Sequence, residues 1–121
     1  MLRLVDYHVA IDQLLTENFV LAELQKQIGW SETKPRIFHW RTASNQEVDF
    51  VLEDERGRLV GIEVKATASL GANHLLGMRA LAEAAGKRFV RGAVFYTGDQ
   101  VVPVAANIQA VPVRALWELR A

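Results

Sequence analysis

The chain has no cysteine, so disulfides, zinc held by thiolates and a cysteine nucleophile are all excluded. Histidine is scarce. His8, His39 and His74 stand far apart, form no ligand spacing such as HxxxH, and each reads as an ordinary polar residue. No charge of one sign prevails: Lys plus Arg and Asp plus Glu number 14 each. That balance argues against a strongly basic nucleic-acid binder, although the distribution of charge matters more than its sum. No apolar run approaches the ~20 residues that span a bilayer. The opening MLRLVDYHVAID carries acids within its apolar part and lacks a small-residue cleavage site, so it does not read as a signal peptide. The cytoplasm is the expected location, with no membrane partner. A GxxxxGK(S/T) phosphate loop is also missing, which excludes a P-loop ATPase within this sequence.

The 121 residues, half of them hydrophobic, suffice for one compact domain with a core and are too few for two. No repeat, low-complexity tract or linker interrupts them. Residues 1–121 therefore read as a single domain, with 1–13 as a non-core run-in. Arginine supplies ten of the 14 basic residues. Lys34, Arg36 and Arg41 cluster early, and Arg79, Lys87, Arg88 and Arg91 later. They read first as solvated surface charge, and Arg79, Lys87 and Arg88 could also contact phosphates. A helix is predicted from about Leu14 to Ile28, with Thr16 as its N-cap and Gly29 as its stop. Val20, Leu21, Leu24 and Ile28 form its apolar stripe, and Glu17 stands at the centre of that stripe. An inward carboxylate is costly unless it is paired or binds something. Near a helix start it can instead favour the helix dipole.

After Pro35, Arg36 to Thr42 alternates and holds aromatics. Gln46 to Glu53 sets Val48, Phe50 and Leu52 against Glu47, Asp49 and Val51. Arg58 to Thr67 sets Val60, Ile62, Val64 and Ala66 against Gly61, Glu63 and Lys65. A second helix is predicted over Ala72 to Ala85, closed by Gly86. Gly92 to Thr97 is a near-continuous apolar run that suits a central, doubly covered strand. Val101 to Val104 and Ile108 to Val111 are short strands, and Arg114 to Leu119 a terminal helical turn carrying Trp117. This order, helix, three strands, helix, strands, implies a mixed sheet with helices packed on it, as α/β or α+β.

The two middle strands can be registered from their turn alone. Glu55-Arg56-Gly57 suits a three-residue hairpin loop with Gly57 in the left-handed position, which makes Asp54 and Arg58 the closing pair. Counting back, Asp49 faces Glu63 and Glu47 faces Lys65 on one side, with the apolar side chains on the other. Two facing acids repel unless a cation sits between them. A hard divalent ion such as Mg²⁺ would serve, taking one or two carboxylates, waters and a substrate phosphate. A lysine beside it could orient or deprotonate a water, or stabilise developing phosphate charge. The same pattern also suits a solvated hairpin face with a Glu47–Lys65 cross-strand ion pair.

Asp49, then thirteen residues, then Glu63-Val64-Lys65 resembles the D…(D/E)xK signature of the PD-(D/E)xK nuclease superfamily. That superfamily contains many restriction enzymes and the archaeal Holliday junction resolvases. Glu17 matches its first-helix glutamate, and Ser44 and the helix after ExK fit its restriction-endonuclease-like αβββαβ core. A closer resemblance spans nearly the whole chain. TENFVLAEL, FHWRTASNQEVDFVLE, GIEVKAT, FYTGD and VPVRALW resemble the C-terminal domain of unknown function that follows an AAA+ ATPase domain in prokaryotic ATP-binding proteins. That domain is regarded as nuclease-like. Met1 to Gln13 departs from its usual run-in.

The resemblance implies metal-dependent phosphodiester hydrolysis on nucleic acid, DNA ahead of RNA. Asp49, Glu63, the Val64 carbonyl and Glu17 would hold Mg²⁺ or Mn²⁺, with Glu23 the alternate to Glu17. Lys65 would position the attacking water. The other implication is a non-catalytic recognition or regulatory module that keeps the fold and works with an AAA+ ATPase. Small nucleases of this fold that cut duplexes usually pair, so a homodimer is expected.

Overall fold

The structure, a computed structural model, describes residues 36–114. The predicted helix of 14–28 with Glu17 and Glu23, the run-in, and the terminal turn with Trp117 lie outside the described residues.

The described chain forms six strands and one α-helix. Strands β1 (Arg36–Arg41), β2 (Glu47–Glu53) and β3 (Leu59–Val64) come first, then α1 (Leu76–Ala85). Strands β4 (Phe89–Tyr96), β5 (Val102–Ala105) and β6 (Ile108–Pro112) follow. One sheet holds them in the order β1-β2-β3-β4-β6-β5. The first three strands form an antiparallel meander, and β4 then runs parallel to β3 after the α1 crossover. Strand β6 is parallel to β4, and β5 closes the far edge antiparallel to β6. This is a mixed α/β fold with one helix packed on a six-stranded sheet, consistent with a restriction-endonuclease-like core.

The predicted hairpin turn forms. Gly57 takes φ +77°, a region that favours glycine, and its N–H donates to the Asp54 carbonyl at 3.1 Å. The Asp54 N–H donates to the Arg58 carbonyl, also at 3.1 Å, which closes the loop on the expected pair. The Asp54 carboxylate accepts the N–H groups of Arg56 (2.9 Å) and Arg58 (2.8 Å) and the Arg58 Nε (2.6 Å). Burial opposes ionisation of Asp54, but the backbone N–H and guanidinium of Arg58 and the N–H of Arg56 outweigh it, so its pKa is lowered. Arg88 ties this turn to the end of the helical segment, donating to the Gly57 carbonyl (2.8 Å) and to Glu53 (2.9 Å).

The predicted second helix is divided. Ala72–Leu75 is a 3₁₀ turn, Leu76–Ala85 is α-helical, and Gly86–Arg88 closes as a second 3₁₀ turn. Gly86 ends α1 at φ +58°, its N–H on the Ala82 carbonyl. Helix α1 sits directly on the sheet where glycines leave room for it. Met78, fully buried, rests over Gly61 of β3 and Gly92 of β4, where an added Cβ would stand 2.6 and 2.7 Å from its sulfur. On the helix itself, a Cβ at Gly77 would lie 1.9 Å from the Glu47 carbonyl oxygen. The core beneath α1 contains Val48, Val51, Leu81, Val94 and Ile108. Burial of each such side chain contributes up to about 1.5–3 kcal/mol.

Candidate metal centre

Strands β1, β3, β4 and β6 all end at one edge of the sheet, where β2 begins. Asp49, Glu63 and Lys65 lie at that edge: Asp49 near the start of β2, Glu63 near the end of β3, and Lys65 just beyond it. The β2–β3 ladder runs from Glu53↔Leu59 to Phe50↔Ile62, and its next step sets Asp49 against Glu63, as the turn predicts. There Asp49 replaces the ladder with its side chain: Oδ2 accepts the Val64 N–H at 2.9 Å. Val64, which ends β3, is 8% exposed. Lys65 is fixed to β4 through its N–H on the Phe95 carbonyl (2.8 Å).

Two expectations need correction. The Glu47–Lys65 cross-strand pair does not form. Between Trp40↔Val48 and Phe38↔Val51, the two residues Asp49 and Phe50 stand against the single His39, so β2 is bulged at the site. The bulge turns Val48 and Val51 to the same core despite their spacing of three. Glu47 Oε2 then lies 3.2 Å from His39 Nε2, and Lys65 Nζ lies 3.8 Å from Glu63 Oε1. The second correction concerns the faces of the hairpin. The acid-bearing side of β3 is the side covered by α1, since Met78 and Leu81 lie over Gly61, two residues before Glu63. Glu63 is only 2% exposed, and Val60, Ile62 and Val64 on the opposite side are buried as well. A strand in the middle of a six-stranded sheet is covered on both faces, which its charged alternation does not reveal.

Glu63 is therefore an ionisable group in an apolar setting. Burial pushes its pKa up from 4.5 to about 7; Lys65 opposes the rise, and the charges of Asp49 and Glu47 add to it. Its Oε2 is buried and accepts no hydrogen bond. Buried carboxylate oxygens are normally partnered, and one left bare in a cluster of acids is a place for a cation. Among the described residues no group of three or more His, Cys, Asp or Glu side chains is arranged to hold a metal. The donors that are present suit a hard ion of the Mg²⁺ type, which needs only one or two carboxylates beside waters and substrate oxygens. Asp49 keeps Oδ1 for that use, and Glu63 keeps Oε2. Glu17, the expected third carboxylate, lies outside the described residues.

Two neighbours of the site escaped the sequence reading. His39, taken as ordinary, stands between Glu47 and the Asp49 carbonyl, with Nδ1 3.4 Å from that oxygen. Arg41, taken as surface charge, ends β1 opposite Glu47 and donates to Asn45 Oδ1 at 2.8 Å. Pairing β1 with β2 across the turn at Thr42–Gln46 would have brought both to light. His74 does serve locally, its Nδ1 accepting the Gly71 N–H at 2.9 Å.

Among the described residues no helix is long and apolar enough to cross a membrane. No curated protein and no solved structure matches the chain. One family model matches residues 14–116, most of its length and the whole of the site edge, and the chain belongs to that family, DUF4143, a domain of unknown function.

Proposed function

We propose that this chain is a single nuclease-like domain whose Asp49–Glu63–Lys65 edge hydrolyses phosphodiesters in nucleic acid, DNA ahead of RNA, with Mg²⁺ or Mn²⁺. The observation that carries the reading is the bare, buried Oε2 of Glu63 beside Asp49 and Lys65. Asp49 Oδ1 and Glu63 Oε2 would hold the ion, with the Val64 carbonyl and Glu17 or Glu23 as further ligands. Bound there, the ion would lower the pKa of a water and neutralise charge on the transferring phosphoryl group. The chain's own residues do the rest. The Val64 N–H fixes the Asp49 carboxylate in one orientation. Lys65, one-third exposed and 3.8 Å from Glu63, reaches from the dry interior to solvent. Its ammonium can orient the attacking water or stabilise the developing phosphate charge. Burial of Glu63 keeps bulk water from one side of the centre.

Calorimetric titration with Mg²⁺ or Mn²⁺ tests this reading on the wild-type protein and on Asp49→Ala. Saturable binding lost in the variant, followed by DNA cleavage lost in Asp49→Ala and Lys65→Ala, is the expected result. Cleavage unchanged in both variants would sink the assignment.

A second reading has one observation in its favour: basic and acidic residues number 14 each, without the excess of positive charge that marks a nucleic-acid binder. In it the fold is a recognition or regulatory module, working in the cytoplasm with an AAA+ ATPase as an attached domain or a separate protein. Capture of a P-loop ATPase that persists in Asp49→Ala would favour this module over the nuclease. A homodimer belongs to the first reading, since paired sites cut both strands of a duplex.

A further inference from the structure

We infer that His39 is a positioning residue for the Asp49 carboxylate, holding the β2 bulge through the main chain and so aiming the oxygen left for the ion. The inference rests on the metal centre of the phosphodiesterase reading and names a group that organises it without touching the ion.

Strand β1 is an edge strand, and it offers the bulge a single residue. Its register runs through Phe38↔Val51 and resumes at Trp40↔Val48, so Asp49 and Phe50 share His39. A bulge interrupts the ladder and re-aims a side chain, which leaves its backbone less firmly held. His39 supplies the missing hold. Its Nδ1 lies 3.4 Å from the Asp49 carbonyl oxygen. A carbonyl oxygen can only accept, so this long hydrogen bond assigns the ring hydrogen to Nδ1. At the far side of the ring, Nε2 lies 3.2 Å from Glu47 Oε2. The imidazole thus contacts β2 on both sides of Val48.

The faces of the sheet show how it acts. Phe38 and Trp40 pack against the core beneath α1, so by alternation His39 stands on the other face. Glu63 lies on the α1 side. His39 therefore does not reach the ion; it reaches Asp49 through the main chain. Asp49 is held at two points, its carbonyl by the His39 ring and its Oδ2 by the Val64 N–H at 2.9 Å. Those bonds come from neighbours on either side, β1 and β3, and together they set where Oδ1 points. Groups that orient a metal ligand in this way govern affinity although they never contact the metal. The side chain of His39 is 51% exposed, so the core does not depend on it. A half-exposed histidine without a role would turn its nitrogens to water, whereas both nitrogens of His39 face β2.

The test is calorimetric titration of the full chain with Mg²⁺, for the wild type, His39→Ala, His39→Asn and His39→Gln. A urea unfolding curve in chelator accompanies each protein. Mg²⁺ takes oxygen ligands in preference to imidazole, so a change in affinity reports Asp49 and not a lost nitrogen ligand. Removing a group that orients a metal ligand typically weakens binding by about 10–100-fold, and His39→Ala should raise Kd by about tenfold. Asparagine places an amide N–H where Nδ1 stands, and glutamine places one where Nε2 stands. His39→Asn should therefore bind Mg²⁺ severalfold more tightly than His39→Gln, with similar urea midpoints for the two. A wild-type Kd in His39→Ala, or equal Kd values in His39→Asn and His39→Gln, overturns the positioning role and leaves the phosphodiesterase reading standing. Should His39→Ala fail to fold, the comparison of asparagine with glutamine decides. Absence of saturable Mg²⁺ binding by the wild type overturns both.

Discussion

Replacing Glu63 with glutamine keeps the shape of the side chain and removes its charge, so it isolates what burial of the carboxylate does to the fold. Between its ordinary value of 4.5 and its value of about 7 in the folded protein, the charged form is disfavoured by about 3 kcal/mol. The sign follows from proton binding. The folded state keeps a proton that the unfolded chain releases, so this group's contribution is fully present below about pH 4.5 and is lost as pH rises through about 7. In metal-free buffer the wild-type protein should lose up to about 3 kcal/mol from this source between about pH 4.5 and pH 8. Glu63→Gln cannot. The variant should be the more stable protein at about pH 8, by about 2–3 kcal/mol, with the difference closing toward acid. The lost attraction of Lys65, 3.8 Å away and one-third exposed, subtracts little. Urea unfolding of both proteins across this range, with a chelator present, gives the two curves. Adding Mg²⁺ should then stabilise the wild type, by about 2.7 kcal/mol at a hundredfold excess over Kd, and leave the variant nearly unmoved. A variant less stable than wild type at about pH 8, or a difference independent of pH, refutes the desolvated carboxylate.

Gly77→Ala adds a methyl group where the Glu47 carbonyl oxygen would be 1.9 Å away. It should destabilise the protein by about 1–3 kcal/mol although alanine is the better helix former, and a thermal melt at or above the wild-type midpoint would contradict the close approach of α1. Asp54→Asn leaves Arg58 without its carboxylate and should cost about 1–2 kcal/mol near neutral pH. The lowered pKa of Asp54 reverses the sign found for Glu63, so this loss should shrink as pH falls through the carboxylate range; a loss that grows in acid speaks against the assignment. Met78→Ala empties the seat over Gly61 and Gly92 and should cost about 2–5 kcal/mol by chemical unfolding, with a smaller cost if α1 can settle onto the sheet.

The turn chemistry carried the sequence reading furthest. Asp54, Arg58 and Gly57 specify the hairpin locally, so the β2–β3 register could be counted from them, and the structure holds that register from Glu53 to Phe50. The element order was legible for a similar reason, because Gly86 and the apolar run after it mark where the helix yields to β4. The faces were not legible. Whether Glu63 points to water or beneath a helix depends on where α1 lands, and that is decided by hollows at Gly61 and Gly92 that no periodicity reports. The bulge at Asp49–Phe50 was hidden too, since clean alternation in β2 conceals one residue more than β1 supplies. Arg41 and His39 went unassigned because their partners, Asn45 and Glu47, become neighbours only once β1 folds back on β2.

Burial of Glu63 also sets it apart from the structural acid Asp54. A carboxyl serving only the fold would have both oxygens bonded, as Asp54 has, and its pKa would fall. Glu63 has one oxygen bare, its nearest cation at 3.8 Å, and a pKa raised to about 7. As a structural element it is inferior to a neutral isostere, because a lone buried charge is costly and its removal is commonly neutral or stabilising. Helix α1 covers that side of the sheet, with Gly77 close against the Glu47 backbone and Met78 over Gly61, two residues before the acid. The same cover raises the value of any cation that arrives, since charge attraction strengthens as water is excluded. The contact that weakens the metal-free fold is thus the one that would bind an ion most firmly, so stability at neutral pH and affinity for the ion should move in opposite directions across substitutions at this edge.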